Sequence, residues 1–271
     1  PSSGRNLPQI VTYILQKAFF KHALDRNHLK SRRIGMEKID FVLTWVDGSD
    51  PDWLVQRREY QPGRGTDAGE SRYRDWDNLP YWFRGVEKFA SWVNKIYFVT
   101  WGHVPKWLNT AHEKIQIVKH EDFMAPAYLP TFNINSIELN LHRIKGLSEH
   151  FVFFNDDMFL IDSVKPEDFF KNGLPCDCCI ETALVQDNIR NPFANILMND
   201  AALANMHYNK KEVIKKQAKK WFSPAYGAML FRNVLMLPYR EFSSFKYSHL
   251  PSPFLKATYW KVWDEEGAVL D

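Results

Sequence analysis

Phe151-Val152-Phe153-Phe154-Asn155-Asp156-Asp157-Met158-Phe159 decides how this chain is read. An apolar, aromatic run of strand length stops at Asn-Asp-Asp, and apolar residues resume at once. Burying two adjacent carboxylates at the end of a core strand is costly unless a divalent cation, a proton to be abstracted or a cationic partner compensates. In open α/β sheets, ligands sit outside the carboxyl ends of strands, where these acids fall. The competing reading is a strand-ending turn, because Asn and Asp favour turns.

Upstream, Leu129-Pro130-Thr131-Phe132-Asn133-Ile134-Asn135-Ser136 leads into a predicted helix of about three turns that closes at Gly146. Ile134, Ile137, Leu141 and Ile144 share one face, with Asn135, Glu138 and His142 in a polar stripe beside it. Arg143 points to a third side, within reach of a phosphate. Further back, strands are predicted at Ile39–Thr44, Lys95–Thr100 and Lys114–Lys119, with a helix from Asp77 or Asn78 to about Val93. Each strand ends in polar residues: Trp45-Val46-Asp47-Gly48-Ser49-Asp50, Trp101-Gly102-His103 and His120-Glu121-Asp122. Trp45 with the acids of its loop can hold a nucleoside by stacking and hydrogen bonds; a plain Asp-Gly turn is the bland alternative. There is no G-x-G-x-x-G and no Walker loop. The alternation predicts an α/β core, a Rossmann-like or GT-A-like sheet flanked by helices, spanning 39–175.

Outside it, residues 1–38 are expected to form a basic amphipathic helical leader, with Ile10, Ile14, Leu15, Ala18 and Phe19 at helical spacing. Such a helix can lie on an anionic membrane surface or dock on protein, and docking is favoured. Residues 176–271 are expected to be a helical part, rich in Pro and aromatics, that completes the site. Within it, Asn199 to Trp221 is predicted to be helical, presenting Lys210, Lys211, Lys215, Lys216, Lys219 and Lys220 against a single Glu212. Those lysines are a solvated face or an attractor of polyanions. His249, in Ser248-His249-Leu250-Pro251, is a candidate acid or cation near phosphate.

The 271 residues are 45% hydrophobic and 25% charged, ordinary for a globular protein, while 15% aromatic content is high. A formal charge of +3 implies no nucleic-acid partner. Cys176, Cys178 and Cys179 lack zinc-site spacing and are expected to be free thiols. No apolar run reaches membrane-span length and no cleavable signal is visible, so a cytoplasmic protein is expected, possible contact with the inner membrane being peripheral.

Three segments together resemble the Stealth family, sugar-1-phosphate transferases of bacterial capsule synthesis related to the animal N-acetylglucosamine-1-phosphotransferase. They are Ile39 to Trp53, Arg72-Tyr73-Arg74-Asp75 through Phe159, and His249-Leu250-Pro251 with Pro253-Phe254. The family's later Arg-bearing segment and short Asn-Asp motif are not found before Asp271, so the resemblance implies a truncated chain. It further implies attack by an acceptor hydroxyl on the β-phosphorus of a UDP-sugar, with release of UMP and formation of a phosphodiester. On that resemblance, Asp156 and Asp157 take the metal (Mg²⁺ or Mn²⁺) and base roles, in an order left open, and His249 assists the phosphoryl group or the departing UMP. Trp45, Asp47 and Gly48 hold the uridine end. Arg74, Asp75, Asn133, Asn135, Glu138, His142 and Arg143 contact sugar and diphosphate. The acceptor is a capsular polysaccharide, the partners include the capsule assembly machinery, and Lys211, Lys215, Lys216 and Lys219 become a track for the polyanionic product. A metal-dependent glycosyltransferase that releases UDP would show a similar acidic motif, and a non-catalytic polysaccharide- or membrane-binding module would use the same aromatics and lysines.

Overall fold

The computed structural model describes residues 37–60, 73, 76–185 and 192–270. The expected 1–38 leader falls almost wholly outside them. Four parallel strands, β1 (Ile39–Thr44), β2 (Ile96–Thr100), β3 (Ile115–Lys119) and β4 (His150–Phe154), lie within a residue of their predicted positions. The two-residue strands Phe170–Lys171 (β5) and Leu174–Pro175 (β6) form a separate small hairpin. The sequence reading missed β7 (Ser252–Leu255), which adds antiparallel to β4 and completes the order β3-β2-β1-β4-β7. Pro253 is tolerated there because β7 is an edge strand.

The chain steps outward from β1 to β3 and returns to the other side of β1 as β4, so the strand order reverses between β1 and β4. A reversal point of this kind opens a crevice at the strands' carboxyl ends. Register places Leu43 opposite Phe154, so the Trp45–Asp50 and Asn155–Met158 loops leave neighbouring strand ends on the same edge.

Parallel strands read as continuous apolar runs because both faces are covered. On one face Phe41, Leu43, Phe98, Val152 and Phe154 pack against Leu79, Trp82 and Val86 of α2 (Leu79–Phe89), the helix after α1 (Pro51–Tyr60). On the other, Val42, Tyr97, Val99, Phe151 and Phe153 meet Ile137 of α3 (Ile134–Asn140), Leu141 just beyond it, Phe254 and Tyr259. Each such side chain contributes roughly 1.5–3 kcal/mol on burial. Asp40, fully buried, accepts from Asn94 Nδ2, Lys95 N and Ser148 N at 2.6, 3.1 and 2.7 Å. It thereby ties the starts of β1, β2 and β4 together.

The helix expected from Asn199 to Trp221 is instead α5 (Pro192–His207), α6 (Lys210–Lys216) and α7 (Ala218–Trp221), following the short α4 (Pro166–Phe169). Asn209 makes the break: its side chain caps α6 by accepting from Glu212 N at 3.2 Å. Lys210 does not join the solvated face. It is 1% exposed and bonds Glu181 Oε1 at 2.8 Å and the Met236 carbonyl, at the end of α8 (Leu230–Met236), at 2.7 Å. A third apolar cluster around Trp221 and Phe242 includes Leu139 of α3 and Val262 of α9 (Lys256–Leu270), which seats this part on the backs of the sheet's own helices.

Candidate active site

Asn155 to Met158 closes a turn, with Met158 N donating to the Asn155 carbonyl at 3.2 Å. Both acids are exposed, which corrects the expectation of a buried pair: the turn lifts them clear of the core while Met158 re-enters it. The turn and a functional role coexist, since the turn also aims Asp157 at His249.

His249 Nε2 lies 3.1 and 3.0 Å from the two carboxylate oxygens of Asp157, so Nε2 carries the proton and donates. The pair is 92 residues apart in sequence. It forms because Ser252 pairs with Phe153, and the loop preceding β7 therefore lies over the end of β4. Tyr247 joins them: its hydroxyl pKa is pushed up by burial first, then by the charges of Glu138 and Asp157. The charge of Glu138 on α3 acts on Tyr247 and also on the buried Tyr259, and burial lifts its own pKa to about 8, leaving it mostly protonated at neutral pH. Asn133 caps α3, accepting from Asn135 N at 3.0 Å, and holds the helix N-terminus at this end.

Gly146 does adopt positive φ, +84°, but α3 ends earlier and continues as a tight turn over Leu141–Arg143. Ile134 departs from the predicted apolar face and is exposed. The polar stripe also divides. Asn133 caps the start of α3, whereas Arg143 ends the tight turn that follows its other end. His142 is 1% exposed, stacked on Tyr259 at 5.4 Å and edge-on to Trp260 at 4.4 Å. Burial first, then Arg143, drives its pKa down to about 3. His142 and Arg143 are therefore not brought to the Asp157 end: α9 covers His142, and the half-buried Arg143 lies against the Trp260 and Trp263 rings of the same helix.

Across the crevice, Trp45 stacks on Phe98 at 5.7 Å and meets His103 edge-on at 5.2 Å. It is a core residue, buried to 9% exposure, rather than a free stacking platform for uridine. Asp47 stays at the rim. Its Oδ1 accepts from the Ser49 backbone and hydroxyl at 2.9 and 2.6 Å. Partial burial pushes its pKa up, but those bonds and His103 outweigh it, and the net shift is downward. His103 Nε2 accepts from Asp47 N at 2.8 Å and Nδ1 sits 3.5 Å from Asp50 Oδ2. Burial lowers the His103 pKa against the pull of both acids, so a neutral ring braces this loop. His120 behaves alike, lowered to about 4 by burial and then by His103. Gly48 is dictated by close approach: a Cβ there would fall 1.9 Å from the Tyr73 carbonyl oxygen.

Sequence reasoning passed over His103 and the brace between the two loops. Trp53 meets Tyr73 at 5.0 Å and Phe132 at 5.7 Å, with Arg57 over the Tyr73 ring at 4.1 Å. This cluster fixes the segment before Asn133 against α1. Alternation of polar residues at strand ends was the available signal for His103; nothing local signals the cluster. Arg74 and Asp75 lie outside the described residues. Lys211, Lys215, Lys216 and Lys219 are exposed, on α6 and α7 rather than in the crevice.

For a divalent cation the donor set is Asp156 and Asp157, two exposed carboxylates at a strand end. Among the described residues no group of three His, Cys, Asp or Glu side chains comes together to hold a metal ion. Two carboxylates still fit Mg²⁺ or Mn²⁺, hard cations that keep waters and complete their shell with substrate phosphate oxygens.

The Stealth protein CR1 conserved region 1 matches residues 37–65, and the Stealth protein CR2 conserved region 2 matches 72–176. Over 234 residues the chain is 43% identical to the capsular polysaccharide phosphotransferase WcwK of Streptococcus pneumoniae, covering 85% of this chain and 69% of that protein. This chain belongs to the Stealth family. It is also similar to the receptor polysaccharide phosphotransferase WefC of Streptococcus oralis, 42% identical over 87% of this chain and 72% of that one. The capsular polysaccharide phosphotransferase eps5J of Streptococcus thermophilus is 45% identical over 73% and 83%. The two Stealth regions contain both loops of the crevice and α3, while His249 lies beyond them.

Proposed function

We infer that this chain is a phosphotransferase of polysaccharide synthesis that moves sugar-1-phosphate from a UDP-sugar onto a hydroxyl of a capsular polysaccharide. The acceptor oxygen forms a bond to the β-phosphorus, the bond from that phosphorus to the α–β bridging oxygen breaks, and UMP leaves with the oxygen. The hydroxyl proton passes to a carboxylate. The Asp157–His249 pair at the reversal point of the sheet carries this reading. Phosphoryl transfer is mostly positioning and charge stabilisation, and this pair supplies a fixed carboxylate beside an N–H donor.

Asp156 and Asp157 would hold a divalent cation, which neutralises charge on the diphosphate. His249, once released from Asp157 or bridging to substrate, donates to a phosphoryl oxygen. Protonated Glu138 donates a hydrogen bond without adding negative charge beside phosphate. Asp47 accepts from the hydroxyls of the nucleotide's ribose, and the exposed lysines of α6 and α7 face the polyanionic product. A cytoplasmic placement, peripheral to a membrane, goes with this reading; among the described residues no helix is long and apolar enough to cross one.

The test is to incubate the full chain with a panel of UDP-sugars, capsular oligosaccharides and Mg²⁺ or Mn²⁺. Expected are UMP and a new phosphodiester resonance by phosphorus NMR. Release of UDP with no diester would overturn the reading in favour of an ordinary glycosyltransferase.

A further inference from the structure

We propose that an open trough around Arg143 and Trp260, separate from the Asp157 crevice, binds an anionic saccharide chain: a phosphate-bearing stretch of polymer away from its reacting end. The identity of the polymer rests on the phosphotransferase reading above; the trough itself does not.

Two depressions of about 570 and 720 Å³ meet at Arg143 and Trp260, which line both. Each has the volume of a sugar-sized site, roughly 300–1,000 Å³. Both are wide open, so they suit a chain lying across the surface better than a small molecule enclosed on most sides. Trp260 is 51% exposed although one edge packs on His142, so part of the indole is presented to solvent by a rigid support. The Arg143 guanidinium sits 4.7 Å from the Trp263 ring and 5.7 Å from that of Trp260. Trp263 is itself fixed by Nε1 donating to the Leu139 carbonyl at 2.9 Å. The cation is thus held in place by aromatic rings, with no carboxylate ion-paired to it among the described residues. Sugar C–H faces stack on such a ring while a phosphate takes the guanidinium.

Lys145 and Lys256 line the first depression, Lys256 Nζ donating to the Leu147 carbonyl at 3.1 Å, and Lys261 lines the second. The acids on the walls are Glu121, Asp122 and Asp264. Two of the three are engaged within their own loop: Glu121 lies 3.5 Å from Lys119 Nζ, and Asp122 accepts from Lys119 N at 2.7 Å. The trough is therefore only mildly cationic. It selects saccharide with phosphate rather than phosphate alone, unlike the lysines of α6 and α7.

The test uses the full chain with three probes: phosphorylated maltoheptaose, neutral maltoheptaose and inorganic polyphosphate, measured by calorimetry and tryptophan fluorescence. Phosphorylated maltoheptaose is expected to bind about tenfold more tightly than either of the others. Trp260→Ala and Arg143→Gln should each weaken it about fivefold or more, with Trp260→Phe keeping most of the affinity. Polyphosphate binding as tightly as the phosphorylated sugar, or variants binding like the parent, overturns the proposal. In a transfer assay, Trp260→Ala should raise the KM for a multi-repeat acceptor about fivefold relative to a single-repeat one. If no transfer occurs with any donor, the phosphotransferase reading fails and the binding measurements alone decide the trough. If transfer occurs and that KM ratio does not move, the trough fails and the function stands.

Discussion

His142 makes the folded protein sensitive to acid by an amount that can be worked out. Its ring is enclosed between Tyr259 and Trp260, and burial first, then the neighbouring Arg143, outweighs a bond to the Leu139 carbonyl that it shares with Trp263, so the folded pKa is about 3 against 6.5 for a free imidazole. A folded pKa below the unfolded one means stability that is complete above pH 6.5 and is lost as pH falls toward 3. Between pH 7 and pH 5 the unfolded chain takes up a proton at His142 and the folded chain does not, which removes about 2 kcal/mol. That is a large part of the roughly 5–15 kcal/mol that holds a domain together. His103 and His120, also depressed, add to the slope, so the comparison needed is with His142→Phe, which keeps a ring on Tyr259 and cannot titrate. Urea unfolding of both proteins at pH 7, 6 and 5 measures it. The parent should lose about 2 kcal/mol more than the variant over that range. Parallel loss in the two proteins would refute the buried, neutral ring, and with it the exclusion of His142 from the crevice.

Asp157→Asn and His249→Ala, both at exposed positions, should leave unfolding free energy within about 1 kcal/mol while cutting transfer by about 10²-fold or more; activity near the parent level in both would remove the pair from the chemistry. Gly48→Ala should cost about 1–3 kcal/mol, because the added carbon overlaps the Tyr73 carbonyl and backbone must shift to admit it, and should raise the KM for the donor; unchanged melting temperature and kinetics would show that the loop does not need the close approach. Lys210→Met strands the buried Glu181 and should cost about 3–5 kcal/mol, whereas Lys215→Ala should stay within about 0.5 kcal/mol. Equal effects in urea unfolding would contradict the different surroundings of the two lysines.

What the sequence determined by itself was everything governed by neighbours along the chain. Apolar runs such as Phe41-Val42-Leu43 and Phe151-Val152-Phe153-Phe154 can be satisfied only as doubly covered strands, and the spacing of Ile137, Leu141 and Ile144 suits only a helix against them. Polar residues had to gather where those strands stop, which placed Asp47 and Asp157 on one edge. The tertiary structure decided which of the polar residues meet. Asp157 reaches His249 because β7 pairs with β4 from a hundred residues downstream. His142 is buried because Tyr259 and Trp260 arrive from α9, and Trp45 is a core residue because Phe98 and His103 occupy its ring. Lys210 differs from Lys211 because Glu181 and the Met236 carbonyl converge on one ammonium and not the next. Periodicity tells a side chain which way to point; only the packing of distant segments settles whether water, an aromatic ring or a carboxylate waits there.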